Sequence, residues 1–226
     1  MANVIKLRKG LDVNLKGKAA KEEFQVKKPA VYALMPDDFT GMKPKVVVKE
    51  NDVVKVGDSL FVDKNHPEIK FVSPVSGRVT MVERGDRRKV LSVRVEADAE
   101  QQYVDFGKKN VGQMTAQEVK DLLLESGLFG FFRQRPYDVT ANPSDTPKAI
   151  FVSAFNSMPL AADFEYVLRG READFQAGLD ALAKMAKTYL GVSSKQTVTA
   201  LTAAKNVEIN FFDGPAPAGN VGVQIN

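Results

Sequence analysis

An α+β multidomain chain, with a β module ahead of an α/β layer domain, is predicted by a change of texture along the 226 residues. From Lys45 to Val95, short valine-rich runs such as Val46-Val47-Val48 and Leu60-Phe61-Val62 alternate with turn residues, the spacing of a small β barrel or sandwich. After about residue 112 the apolar period becomes helical, and helical and strand patterns alternate. Charge breaks at a similar place: residues 1–98 carry 20 Lys and Arg against 14 Asp and Glu, residues 99–226 carry 12 against 14. These breaks predict an extended segment over 1–32, a β domain over 33–98 and an α/β domain over 99–226.

Within the β module, Asp52-x-Val54 and Gly57-x-x-Leu60 allow a tight turn between strands. Ser73-Pro74-x-x-Gly77 sets a rigid turn before a strand whose Val79 and Met81 are expected to alternate inward. Arg84, Arg87 and Arg88 then sit on a charged hairpin, which suits a protected sheet edge or contact with a partner or anionic headgroups. Thr115-Ala116-Gln117-Glu118 is a capping box, so a helix starts there, runs through Val119, Leu122 and Leu123, and stops at Gly127. A buried strand is expected over Lys148–Ala154 and a helix over Asp174–Lys187, with Phe175, Leu179, Leu182 and Met185 on one face. Further expectations are a strand at Thr188–Val192, a helix at Ser194–Ala203 with Thr197–Leu201 in the core, and a strand at Val207–Phe212. Asn220–Asn226 begins one more strand pattern and stops without a polar tail, which reads as a cut from a longer protein.

With 44% hydrophobic and 27% charged residues the chain is globular, not disordered. It has no cysteine, which removes disulfides, thiolate catalysis and cysteine-ligated clusters. A single histidine, His66, leaves no His-rich metal site, and acid–base work would fall to carboxylates and lysines. Ala149–Ala162, fourteen residues, is the longest stretch without Asp, Glu, Lys or Arg, too short to span a bilayer. Met1–Gly10 lacks an apolar core behind its basic residues, so no secretory signal and a cytoplasmic location are expected. No basic strand interleaved with aromatics points to nucleic acid. No catalytic residue and no metal ligand set is assigned.

The run from Val46 to Glu96 resembles the biotinyl/lipoyl-carrier type of flattened barrel, the barrel-sandwich hybrid. In carriers a lysine at a hairpin tip bears the cofactor, and Lys64 in Val62-Asp63-Lys64-Asn65 stands near that place. His66–Lys70 lengthens the tip, and Arg84–Val90 lacks the second Gly-x-x-Leu turn of the quasi-symmetric carriers. A carrier module using Lys64 stays open as one function.

Nine short motifs follow one another along the whole chain, among them Gly10-Leu11-Asp12, Gly41-Met42-Lys43-Pro44, Ser73-Pro74-Val75-Ser76-Gly77, Arg133-Gln134-Arg135-Pro136 and Gly214-Pro215-Ala216-Pro217-Ala218-Gly219. In this order they resemble the NqrA family, whose members are components of sodium-translocating NADH:quinone oxidoreductases. The resemblance implies a barrel-sandwich hybrid followed by a Rossmann-like domain related to the flavin-carrying subunits of complex I and the Rnf complex, with SLBB and helical regions beyond Asn226. Where those relatives carry a glycine-rich flavin-phosphate loop, this chain has Phe129, Phe131 and Phe132, and Ala154–Pro159 keeps a proline but loses two carboxylates. The implied role is a peripheral, assembly-forming subunit on the cytoplasmic face of the bacterial inner membrane, with no cofactor of its own. FMN, FAD and a 2Fe-2S cluster belong to other subunits, and ubiquinone is a substrate of the complex. Phe129, Phe131, Phe132, Arg133 and Arg135 are the candidate quinone or partner contact, because a quinone needs apolar surface and donors for its carbonyls. A flavin-binding oxidoreductase is the third open function. Ala216 stands where the family has histidine.

Overall fold

The computed structural model describes residues 4–17 and 20–226, so residues 1–3 and 18–19 of the expected segment 1–32 lie outside the described residues. The chain divides into two compact units, and neither is continuous. One comprises Met1–Phe24, Asn110–Val119 and Pro147–Asn226; the other comprises Gln25–Lys109 and Lys120–Thr146. The two units interleave along the sequence, which is an outcome of the fold. The cause is strand pairing across long sequence distance: β1 (Val4–Lys6) lies inside the expected extended segment, yet runs parallel to residues 211–213.

The β unit is built from β2 (Val31–Leu34), β3 (Pro44–Val46), β4 (Val53–Val54), β5 (Ser59–Asp63), β6 (Lys70–Val72), β7 (Gly77–Arg84) and β8 (Val90–Ala97). They form two antiparallel sheets, ordered β2-β8-β7-β4 and β3-β5-β6. Leu60, Phe61, Ile69, Phe71, Val79, Val93 and Val95 are essentially buried and supply the apolar burial that holds strands this short. Met81 is 43% exposed instead of inward, because a bulge between Val79 and Met81 shifts the alternation by one residue. The Ser-Pro-x-x-Gly turn works as a polar buckle. The buried Ser76 hydroxyl donates to Asp98 and accepts from the Gln102 amide at 2.9 Å, and a Cβ on Gly77 would lie 1.8 Å from the Glu96 carbonyl oxygen.

Helix α1 (Ala116–Glu125) begins at the expected capping box: the Glu118 amide donates to the Thr115 hydroxyl and the Thr115 amide to the Glu118 carboxylate. Gly127, at φ 76°, ends it. A single 3-10 turn at Phe129–Phe131 leads into the hairpin of β9 (Arg133–Gln134) and β10 (Val139–Thr140).

The α/β unit is completed by β11 (Ile150–Ala154), α2 (Phe164–Leu168), α3 (Glu172–Met185), β12 (Thr188–Ser193), α4 (Thr199–Thr202), β13 (Glu208–Asp213) and α5 (Val221–Ile225). Its sheet is parallel throughout, in the order β1-β13-β12-β11. Leu179 and Leu201 pack with Ala154, Leu190 and Val192 on one face of the sheet. On the other face the absent side chain of Gly191 leaves room for Gln224 of α5, which also accepts a hydrogen bond from the Ser153 hydroxyl at 3.0 Å. Residues 221–225 are therefore helix, not the expected strand: Asn220 caps the Gly222 amide, and Gln224 is held at the sheet. The helix expected over 194–203 shrinks to Thr199–Thr202, because the Gln196 side chain takes the Thr197 and Val198 amides into a turn. Leu201 is core, whereas Thr197 is exposed.

Candidate functional site

The Phe129–Arg135 segment lies in the β unit, where its five candidate residues separate into distinct roles. Phe129 is 5% exposed and stacks on Phe132 with 5.4 Å between centroids, so it is core. Gly130 packs against the Phe71 ring so closely that a Cβ there would come within 2.8 Å of it. Phe131, in contrast, is 70% exposed and touches Phe39 edge-on. Behind it Phe39, Phe71 and Phe61 form a continuous series of ring contacts, which fixes the 3-10 turn to β5 and β6.

Arg133 fastens the β9–β10 hairpin. Its guanidinium donates to the Thr40 hydroxyl at 3.2 Å, to the Asp138 carbonyl at 3.3 Å and to the Asp38 carbonyl at 3.5 Å. The Thr140 amide adds a bond to the Thr40 carbonyl, and Gly41 at φ 85° admits Val139 against the backbone. Arg135 makes one ion pair, 3.6 Å to Asp138, and keeps the rest of its donors free among the described residues. Asp138 thus sits under two guanidiniums; its Oδ1 is buried, lies 3.6 Å from Arg135 and 3.8 Å from Arg133, and accepts no hydrogen bond among the described residues. Tyr137 is 76% exposed in the turn between β9 and β10, which also carries Arg135.

Sequence reasoning found the arginines and missed Asp138 and Tyr137. The signal was present: a carboxylate three residues after Arg135, across a proline-led turn, is within reach of both guanidiniums. Asp38 and Thr40 were not legible, since they act on Arg133 from ninety-odd residues away.

Lys64 is exposed at the β5–β6 connection, as a carrier lysine would be. The connection is stiffer than the lengthened tip suggests. Ile69 is buried, the Asp63 amide donates to its carbonyl, and Asp63 accepts from the Asn65 amide. His66 lies 3.6 Å from Glu68 and joins no cluster able to hold a metal among the described residues.

Two motifs from opposite ends of the sequence meet in the α/β unit. The Leu11 amide donates to the Ala216 carbonyl at 3.0 Å, the Ala216 amide donates to Asp12 at 2.8 Å, and a Cβ on Gly10 would clash with Ala216. The loop is held through backbone atoms, so alanine serves at 216.

Comparison with known proteins decides the family. Residues 5–98 match the NqrA N-terminal barrel-sandwich hybrid domain, and residues 114–226 match the NqrA second alpha/beta domain. The chain belongs to the NqrA family. It is 36% identical to the NqrA subunit of the Na(+)-translocating NADH-quinone reductase of Yersinia pseudotuberculosis over 229 residues, covering 99% of this chain and 51% of the relative. Against the NqrA of Pseudomonas aeruginosa the identity is 34%, over 99% of this chain and 50% of the relative. The NqrA of Actinobacillus pleuropneumoniae is likewise 34% identical over 99% of this chain and 51% of its own length. The chain spans about half the length of the curated NqrA relatives it matches. Among the described residues no helix is long and apolar enough to cross a membrane.

Proposed function

We propose that this chain works as part of the NqrA subunit in a sodium-translocating NADH:quinone reductase, where it is peripheral and assembles with the other subunits. The observation that carries this reading is the 34–36% identity to NqrA relatives across nearly every residue of both units. Its location is the cytoplasmic face of a bacterial inner membrane, and its partners are the remaining subunits, which hold FMN, FAD and the 2Fe-2S cluster. The reading that this chain holds no flavin is supported by the Phe129–Phe132 stretch, where three phenylalanines stand in place of the glycine-rich phosphate loop of the flavin-carrying relatives.

Phe131, Tyr137 and Arg135 form the quinone- or partner-facing surface in this reading. Exposed rings offer stacking area to a quinone head, and a guanidinium with free N–H groups can donate to its carbonyl oxygen. Arg133 is a positioning residue, since its donors are already engaged by Asp38, Thr40 and Asp138. The test is a Phe131→Ala, Arg135→Glu double variant in the fully assembled complex. Quinone-dependent turnover is expected to fall while NADH-to-flavin reduction continues. Unchanged quinone kinetics would remove this surface from the quinone path, and failure of the chain to co-purify with other subunits would remove the assembly role.

A further inference from the structure

The connection between β7 and β8 has chemistry that the quinone-facing surface does not use. Asp86–Lys89 is a tight turn in which the Lys89 amide donates to the Asp86 carbonyl at 3.1 Å. Its central residues, Arg87 and Arg88, have φ of 53° and 62°. A turn with both central residues in the left-handed region favours Asn-Gly, and a long side chain there is sterically disfavoured. The chain nevertheless places two arginines at the apex. Both are exposed, and among the described residues neither guanidinium has a hydrogen-bond or ion-pair partner. The other cations of the hairpin are occupied: Lys89 pairs with Asp37 at 2.7 Å, and Arg84 donates to the Arg88 carbonyl at 3.3 Å. Asp86 is the one carboxylate on the turn.

A trough shared by valines and charged side chains lies beside this hairpin. Arg84 borders this open trough of about 610 Å³ walled by Val46–Val48 and Val82, with Lys49 and Glu50 at its side. Leu91, 36% exposed, lies against Gly85 at the shoulder of the hairpin.

We propose that the β7–β8 hairpin is a docking surface for an anionic lipid layer, with Arg87 and Arg88 on headgroup phosphates and the valine trough and Leu91 toward the apolar boundary. Charge complementarity selects an anionic partner, and guanidinium forks suit phosphate oxygens. A layer of mobile phosphates is favoured over an acidic protein because the two free guanidiniums project from a narrow apex. They line no desolvated pocket of the kind that anchors a protein hot spot.

The experiment is co-sedimentation of the purified chain with phosphatidylcholine vesicles, alone or carrying about one-third phosphatidylglycerol. Partitioning is expected onto the anionic vesicles only, and it should vanish near ~1 M salt, where the Debye length falls to about 3 Å. Replacing Arg87→Asn and Arg88→Gly should lower the partition coefficient roughly 30-fold, about 5-fold for each cation lost at the surface. The same change should raise Tm, since Asn-Gly relieves the turn, so lost binding cannot be ascribed to misfolding. Arg87→Glu provides a second folded variant with the same expected loss. Equal partitioning onto neutral and anionic vesicles, or undiminished binding by either variant, would overturn the proposal; no partitioning at all would overturn it too and leave the apex to an acidic protein surface.

Discussion

Replacing Phe71 by alanine tests whether the aromatic series is what seats the candidate surface on the β core. Phe71 is 2% exposed, its ring lies 4.4 Å from Phe39 and 5.0 Å from Phe61, and Gly130 of the 3-10 turn rests on it. Truncating a buried phenylalanine costs about 3–5 kcal/mol through lost transfer energy and the cavity left behind. Two ring pairs, each worth about 0.5–1.5 kcal/mol beyond burial, place this position toward the upper end. Against a typical domain stability of about 5–15 kcal/mol, that loss is large but measurable. The chain contains no tryptophan, so urea unfolding is best followed by far-ultraviolet circular dichroism. Phe71→Leu keeps most of the apolar volume and is expected to cost roughly 1–2 kcal/mol. In both variants the backbone amides of Phe132–Thr140 should exchange hydrogen faster, because the turn that carries the hairpin loses its support. A cost below about 1.5 kcal/mol for Phe71→Ala, or unaltered exchange over the hairpin, would refute this account of how the surface is held.

Gly77→Ala should cost more than about 3 kcal/mol or abolish soluble expression, because the new Cβ would sit 1.8 Å from the Glu96 carbonyl oxygen and no side chain is there to yield. A variant melting within a few degrees of the parent would show that β7 and β8 can separate at that point. The Asp163 carboxyl is held below its ordinary range, chiefly by the hydrogen bond from Lys21, with help from the α2 amides it caps. A depressed carboxylate stabilises fully above its unfolded value of about 3.9 and loses that effect as pH falls through the lower folded value. Asp163→Asn, which keeps the cap oxygen, should therefore melt below the parent at neutral pH, and the difference should shrink as pH falls through the depressed folded value; a difference that stays constant or grows on acidification would refute the ion-pair explanation.

Local chemistry was legible wherever a few adjacent residues settle the outcome. The capping box at Thr115 and Glu118, the glycine stop at Gly127 and the turn at Ser73–Gly77 were all legible, because their hydrogen bonds close within a few residues or depend on a backbone conformation that one residue type adopts. The apolar stripe through Phe175 and Leu179 was legible because helical periodicity encodes its buried face directly. The candidate surface was half legible. Its arginines and phenylalanines stand together in the sequence, but their division into core, fastener and accessible groups depends on Asp38, Thr40 and Phe71.

By itself, then, the sequence determined the two kinds of architecture, their order and the family, since all three reside in short-range pattern and ordered motifs. Only the tertiary structure decided that β1 joins the final strand of the sheet, that residues 221–225 coil into a helix under Gly191, and that Met81 turns outward at a bulge. In each of these cases the deciding partner is distant along the chain or set by strand register. The free energy of such a contact appears only when the two segments meet, so neither segment's composition carries a mark of it.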